Sequence, residues 1–446
     1  MELIKSISGI RGIVGKNLNN TIVNSYSNIF SHLQDQGDIL VARDSRPHGE
    51  DLYDSICDTL TFMGRNVISC GIIPTPTAQF IIKERNLAGG IVVTASHNPI
   101  EWNGLKFLDS DGCFLNADKM KELLSMSPET ITIDRGNIID SKDAYLSHID
   151  NVLNLQCIQL EKIKEKKFKV VIDTVNGAAY KALPELLEKL NCDIIKIHCE
   201  NTGDFPRGTE PIPSHLGDLS KTVREEKADI GFATDPDADR LAIVSNTGFP
   251  IGEESTLVLA LESYLKFYKD SQTIVTNLST SMGVDAIAER YNSTVERSSV
   301  GEINVVEKMK ELGSAIGGEG NGGVILKESH LGRDSLVASA LVLNHLAHSN
   351  ISLDKILENI PRFVMIKDKI PIENDINFND IKAHFKNDIA TFIDEDGLKI
   401  IWEDKWVHIR KSNTEPIIRI ISEANDNNTA ESLIDLINKI VPYSGP

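Results

Sequence analysis

The sequence predicts a chain of three α/β units closed by a smaller α+β unit, and three observations carry that prediction. Its 446 residues exceed one ordinary core, and at roughly 100 to 200 residues per domain they call for about three or four domains. Short runs rich in Val and Ile alternate with longer stretches of helical period, the pattern of buried strands layered with helices. After Pro361 that alternation gives way to a strand-rich order.

Taken in order, Ile39–Ala42, Ile91–Thr94, Val170–Asp173, Ile194–His198, Ile230–Ala233 and Leu241–Ser245 read as strands. Asp51–Met63, Ala179–Lys189 and Ser214–Glu226 read as helices. The strand-helix-strand rhythm restarts near Lys169 and near Gly252, which places units at residues 1–150, 151–250 and 251–365. The last unit, residues 366–446 with a leading strand from Val364, reads as strand (Val364–Ile370), helix (Phe378–Ile389), three strands (Leu398–Glu403, Trp406–Arg410, Ile417–Ser422) and helix (Thr429–Ile440). No low-complexity segment or exact short repeat occurs. The shared rhythm of the first three units is compatible with divergent copies of one architecture.

A composition of 41% hydrophobic and 25% charged residues is that of a globular protein. The formal net charge of −19 excludes nucleic acid and anionic membranes as general partners, since both need a basic field. An anionic ligand must then be held by local groups. Six cysteines without a C-x-x-C pair fit reduced thiols better than a disulfide framework or a zinc site. The N-terminus lacks a signal-like apolar run and no stretch approaches about 18 apolar residues, so a cytoplasmic location is expected.

Four loops concentrate chemistry. In the first, the apolar run from Ile91 ends in Thr94-Ala-Ser96-His97-Asn98-Pro99, a strand end expected to present Ser96 to a cleft. A serine hydroxyl needs a base, a metal or prior phosphorylation to act, and His97 beside it does not make a triad by itself. In the second, Asp235-Pro-Asp237-Ala-Asp239-Arg240 lies between two apolar runs, and carboxylates at alternate positions of an extended loop would face one side, as a hard cation requires. It is not an EF-hand: Arg240 and Asn246 stand where Gly and Glu belong.

The third loop, Ile316-Gly-Gly-Glu319-Gly-Asn321-Gly-Gly323, would let the backbone approach a ligand closely while Glu319 and Asn321 read hydroxyls. Glycine density alone would make it a hairpin. The fourth, Arg410-Lys-Ser412-Asn413-Thr414-Glu-Pro416 with Arg419 on the next strand, collects the donors a phosphate monoester needs. A capped surface turn is its plain alternative. The four loops fall on four successive units, which favours one shared cleft over four coincidences.

In this combination and order the loops resemble those of the α-D-phosphohexomutase superfamily, and the resemblance covers essentially the whole chain. Thr94–Pro99 resembles its phosphoserine loop, Asp235–Arg240 its metal loop, Gly318–Gly322 its sugar-specificity loop and Arg410–Pro416 its phosphate-binding loop. Ser8-Gly-Ile-Arg11-Gly12, Arg43-Asp44-Ser45-Arg46, Asn103-Gly-Leu-Lys106 as a lysine-bearing turn, Asp173–Gly177 and Ser299–Glu302 also have counterparts.

The resemblance implies four domains around a central cleft, three α/β domains with mixed, mostly parallel sheets and a C-terminal domain of the TATA-binding-protein-like kind. It implies Mg²⁺ on Ser96, Asp235, Asp237 and Asp239. It further implies a phosphoryl group carried by Ser96 and moved between two hydroxyls of a hexose, with a catalytic hexose 1,6-bisphosphate as activator. Arg11, His97, Lys106 and Arg240 would serve the reacting phosphate, with Lys106 assisting proton transfer through a depressed pKa. Gly301, Glu319 and Asn321 would hold the sugar, and Arg410, Ser412, Asn413, Thr414 and Arg419 the other phosphate. The partner is a small phosphosugar, and the protein is expected to be a monomer or homodimer.

Asn321 and Gly323 depart from the Ser and His of many phosphomannomutase/phosphoglucomutase members, whereas Asn413 departs from the glycine of many phosphoglucosamine mutases. The glycine-rich turn favours glucosamine 6-phosphate. Phosphomannomutase/phosphoglucomutase activity, a phosphatase acting through the same phosphoserine, and a non-catalytic sugar-phosphate sensor are the alternatives.

Overall fold

The computed structural model describes residues 3–129, 134–371, 376–412 and 417–440. They build four sheets. The first three share one core. In each, two parallel strands joined through a helix are followed by a third parallel strand beside the first, and a hairpin then adds an antiparallel fourth. In chain order these strands are Ile39–Arg43, Val67–Ile72, Gly89–Val93 and Trp102–Leu108 in the first sheet. Lys169–Asp173, Asp193–Ile197, Ile230–Thr234 and Leu241–Ser245 form the second. Thr273–Asn277, Thr294–Ser298, Ile316–Glu319 and Gly323–Leu326 belong to the third, which His330–Arg333 extends. The first sheet also gains Gly9–Ile13, Ile4–Ser6 and Ile138–Asp140 at its edges.

This common topology has a direct consequence for function. The turns holding Ser96, the aspartate triplet and the glycine-rich segment are all the third-to-fourth-strand connection of their sheets. A parallel sheet offers ligands the carboxyl ends of its strands, and all three turns leave such ends.

The central strands are buried on both faces, so they carry apolar runs such as Val170–Ile172 and Ile91–Val93. One continuous core runs through the first three units, from Leu40 to Ile356. The all-antiparallel fourth sheet instead alternates. Val407, Ile409, Ile418 and Ile420 face its own core with Ile434 and Ile437. Trp406, His408, Arg410, Arg419 and Glu423 occupy the other face. That face meets the third unit through polar contacts: Lys399 Nζ donates to Leu278 O (2.5 Å), Met282 N to Glu423 Oε2 (2.8 Å), and Ser279 Oγ lies 2.8 Å from His408 Nδ1.

Asp334 ties the first and third units together. Its Oδ1 caps the buried helix Ser335–Ser349 by accepting from Leu336 N (2.8 Å) and Val337 N (3.2 Å). Its Oδ2 meets His148 Nε2 at 2.9 Å and His330 Nε2 at 3.1 Å, and His148 Nδ1 reaches Thr77 Oγ1 at 2.9 Å.

Several local expectations are corrected. Asn103–Lys106 is not a turn but part of the strand Trp102–Leu108, because Gly104, lacking a Cβ, allows close approach to Ile10 O and Thr94 O. Ala179–Lys189 is a 3₁₀ turn, Ala178–Tyr180, followed by the helix Ala182–Lys189, where Pro184 sits in the first turn and needs no N–H partner. The expected helix from Ser214 begins at Gly217 after a 3₁₀ turn, Pro213–His215. The helix from Phe378 ends at His384, leaving room for an additional edge strand, Thr391–Ile393.

Asp334→Ala removes a helix cap and leaves two buried imidazoles without their acceptor, which should cost about 3 kcal/mol. Urea unfolding at pH 7 measures this, and a loss below about 1 kcal/mol would contradict the tie.

Candidate active site

The Ser96 turn is braced before it is reactive. Thr94 Oγ1 donates to Asp44 Oδ2 (2.6 Å) and accepts from Ser96 N (2.9 Å). Arg46, paired with Asp44, donates through Nη2 to Ser96 O (2.9 Å) and Asn98 O (2.6 Å). These bonds hold Ser96 at φ +50°, a left-handed conformation costing an L-residue about 1–2 kcal/mol. The strand end was expected to present Ser96 to a cleft, but the residue is buried, 2% exposed. The kink turns Oγ inward, 3.4 Å from Asp235 Oδ2 and 3.3 Å from His97 Nδ1.

The aspartate loop is a tight turn and not an extended segment. Ala238, at φ +59°, donates its N–H to Asp235 O (3.1 Å) and closes it. One carboxylate oxygen from each of Asp235, Asp237 and Asp239 lies within 4.8 Å of the others, and all three side chains are buried. Asp237 Oδ2 accepts from Thr75 Oγ1 (2.7 Å) and Lys106 Nζ (2.5 Å), and Asp239 Oδ2 from Arg333 Nη2 (2.6 Å). Among the described residues Asp237 Oδ1 and Asp239 Oδ1 are buried without a hydrogen-bond partner, with Arg240 Nε 3.7 Å from Asp239 Oδ1. Orphaned anionic oxygens beside a third carboxylate are the donor set of a hard divalent cation. The other close group of metal-type ligands among the described residues, His148, His330 and Asp334, pairs internally.

The charges follow from this crowding. Burial, then Asp239 and Asp237, push the Asp235 carboxyl well above its usual range. Burial would also raise Asp239, but Arg333, Lys106 and Arg240 outweigh it and hold the carboxyl well below that range. Burial would lower Lys106, yet Asp237 and Asp239 prevail and raise its pKa. The expected depressed pKa of Lys106 is therefore corrected, and the residue is a fixed positive charge. His97 is held well below its ordinary pKa by burial and by Arg240 and Arg11. Arg240 Nη2 donates to His97 Nδ1 (3.0 Å), and Arg11 Nη1 to Asn98 Oδ1 (2.8 Å).

The glycine-rich segment is a hairpin, and Glu319 within it is fully engaged. Its Oε1 accepts from Asn277 Nδ2 (2.7 Å) and Gly301 N (3.0 Å), and its Oε2 from Arg333 Nη1 (2.6 Å) and Asn321 Nδ2 (3.4 Å). An open acceptor carboxylate is thus not what the structure holds. The long Asn321 contact is the weakest of the four and the one a hydroxyl would replace. In the fourth unit Arg410 and Arg419 stand opposite each other on adjacent strands. Like charges placed directly opposite repel, and an anion held by both would be favoured there. Ser412 N donates to Ile417 O (2.9 Å), whereas Asn413 and Thr414 lie outside the described residues.

Arg333, Thr75 and the bracing role of Arg46 escaped the sequence reading. Arg46 belongs to the Arg43–Arg46 motif, whereas Arg333 and Thr75 carry no local signal.

Burial and the neighbouring carboxylates raise the Asp235 carboxyl, so a divalent cation, which binds the ionised form, should bind more tightly as pH rises and release protons as it binds. Calorimetry over a pH series in buffers of different ionisation enthalpy checks this, and an affinity that does not rise with pH would contradict it.

Residues 3–130, 143–248 and 253–363 match the phosphoglucomutase/phosphomannomutase alpha/beta/alpha domains I, II and III, and residues 369–440 match the C-terminal domain of the same family. A phosphoglucomutase/phosphomannomutase of Thermococcus kodakarensis is 35% identical over 410 residues, covering 90% of this chain and 89% of that protein. A phosphoglucosamine/phosphogalactosamine mutase of Sulfurisphaera tokodaii is 33% identical over 445 residues, covering 97% and 98%. In fold, the crystal structure of a phosphoglucomutase/phosphomannomutase family protein from Burkholderia thailandensis superposes with a TM-score of 0.86 at 24% identity, covering 98% of this chain and 97% of that one. With all four domain types matched in order and a relative above 30% identity along nearly its full length, the chain belongs to the phosphoglucomutase/phosphomannomutase family.

Proposed function

We propose that the protein is a phosphohexomutase that interconverts glucosamine 6-phosphate and glucosamine 1-phosphate through phospho-Ser96. The observation that carries the chemistry is the strained turn holding Ser96 Oγ 3.4 Å from Asp235 Oδ2, at a carboxylate triplet with two orphaned oxygens. Asp235, Asp237 and Asp239, with an oxygen of phospho-Ser96, would hold Mg²⁺. When bound, the ion neutralises charge on the transferring phosphoryl group.

The remaining steps belong to the chain's own residues. Arg11 and Arg240 flank the Ser96 turn and stabilise the equatorial oxygens of the phosphoryl group. The P–Oγ bond of phospho-Ser96 breaks as the sugar hydroxyl oxygen bonds to phosphorus, and the hydroxyl proton ends on Ser96 Oγ, the leaving oxygen, beside neutral His97. The resulting hexose 1,6-bisphosphate turns over in the cleft. Its other phosphoryl group then moves to Ser96 as that P–O bond breaks, and the Ser96 hydroxyl proton passes to the released sugar oxygen. Arg410 and Arg419, with Ser412 and the adjoining Asn413 and Thr414, clamp the non-reacting phosphate in either orientation. Added bisphosphate would restore phosphate to an unphosphorylated Ser96 and so act as the activator. In place of the 3.4 Å contact between them, Glu319 Oε2 would accept from a sugar hydroxyl and Asn321 Nδ2 would donate to one, while Gly301 N fixes Glu319.

The preference for an amino sugar is supported by the glycine-rich turn and by the name of the Sulfurisphaera relative. The engaged state of Glu319 lends it no separate support. No helix among the described residues is long and apolar enough to cross a membrane.

Parallel assays of glucosamine, glucose and mannose 6-phosphates, with Mg²⁺ and catalytic bisphosphate, should give the highest kcat/KM for glucosamine 6-phosphate, by about tenfold. That ratio needs only about 1.4 kcal/mol of transition-state discrimination. A preference for glucose or mannose overturns the substrate and keeps the chemistry. Release of one inorganic phosphate per substrate consumed overturns the mutase reading.

A further inference from the structure

The aspartate turn and the sugar turn are held to each other by one side chain. Arg333 is buried, and its guanidinium donates through Nη2 to Asp239 Oδ2 and through Nη1 to Glu319 Oε2, each at 2.6 Å. Its Nε lies 3.0 Å from Glu302 Oε2, in the first turn of the helix that follows Gly301. Gly301 N in turn donates to Glu319 Oε1. A planar fork with donors on both sides can hold two carboxylates at a fixed separation, which a single ammonium cannot.

The local backbone is shaped to admit this side chain. The ladder between Gly323–Leu326 and His330–Arg333 shifts register at Ile325/Leu326, and such an irregularity re-aims side chains beside functional sites. On the facing strand a Cβ at Gly323 would collide with Cδ of Arg333. Gly323, whose φ lies outside the left-handed region, is therefore kept small by the path of Arg333 and not by its own backbone. The missing side chain in the sugar turn and the arginine on the next strand form one device.

We propose that Arg333 is a positioning residue that sets the sugar turn against the metal loop, so that cation binding and sugar-phosphate binding are thermodynamically linked through its two Nη groups. A cation drawing on Asp239 changes how tightly Arg333 holds Glu319, and a sugar hydroxyl on Glu319 changes how Arg333 holds Asp239. Linkage of this kind is reciprocal. Arg333 touches neither substrate nor reacting atoms in this role. The inference rests on the phosphohexomutase reading above.

The test measures binding in the Ser96→Ala background, where turnover is suppressed, by calorimetry of glucosamine 6-phosphate with and without saturating Mg²⁺. The parent is expected to bind the sugar phosphate at least about fivefold more tightly with Mg²⁺, and Mg²⁺ more tightly by the same factor with the sugar phosphate. Arg333→Lys should reduce that factor below about twofold while each ligand still binds. Gly323→Ala, which displaces the guanidinium from the other side, should do the same and serves if Arg333→Lys does not fold. An unchanged linkage factor in a folded variant overturns the inference alone. Failure of the parent to bind any phosphosugar overturns the functional reading and the linkage with it.

Discussion

Three carboxylates buried in one tight turn are the constraint on which the site depends. Like charges this close raise one another's pKa, and a protein interior does not tolerate them without compensation. The compensation is spread over the molecule. Lys106 comes from the first sheet, Arg333 from the third, Thr75 from a helix of the first unit, and two carboxylate oxygens remain for a cation. The first three units are thus held around the triplet by electrostatics as well as by their common hydrophobic core. The site and the packing of these units are one arrangement.

The repeated topology explains why the chemistry converges. Each of the three sheets places its third-to-fourth-strand turn at a strand end, and the three turns carry Ser96, the aspartate triplet and the Glu319–Asn321 pair, the groups proposed as nucleophile, cation site and sugar reader. The fourth sheet contributes differently. Its polar face carries the Arg410–Arg419 pair while its own core stays separate. A unit joined to the rest through polar contacts is the one best suited to admit and enclose a ligand.

Much of this was legible in the sequence because the signals were local. Doubly buried strands such as Ile230–Thr234 declare themselves as apolar runs, and the four loops declare themselves by residue type. The architecture of four units agrees with the expectation. What escaped reading depends on contacts distant in sequence or on backbone form. Trp102–Leu108 was hidden because Asn103, Gly104 and Lys106 interrupt its apolar pattern, and only the partner strands reveal why a glycine belongs there. Arg333 acts on Glu319 and Asp239, 14 and 94 residues away, and its own neighbourhood says nothing of either. The pKa of Lys106 was misjudged for a related reason: a lysine expected beside a cation proved to be paired with two of the aspartates. The inward turn of Ser96 depends on a left-handed φ that no residue preference announces.

The central claim is that Ser96 carries the phosphoryl group and passes it to the sugar. The most direct measurement is peptide mapping by mass spectrometry of protein first treated with hexose 1,6-bisphosphate and Mg²⁺, then mixed in a single turnover with glucosamine 6-phosphate. Phosphate should map to Ser96 after the first step and leave it in the second, with one bisphosphate formed for each phosphoserine lost. Phosphate on another residue, or full turnover by Ser96→Ala, would contradict the account.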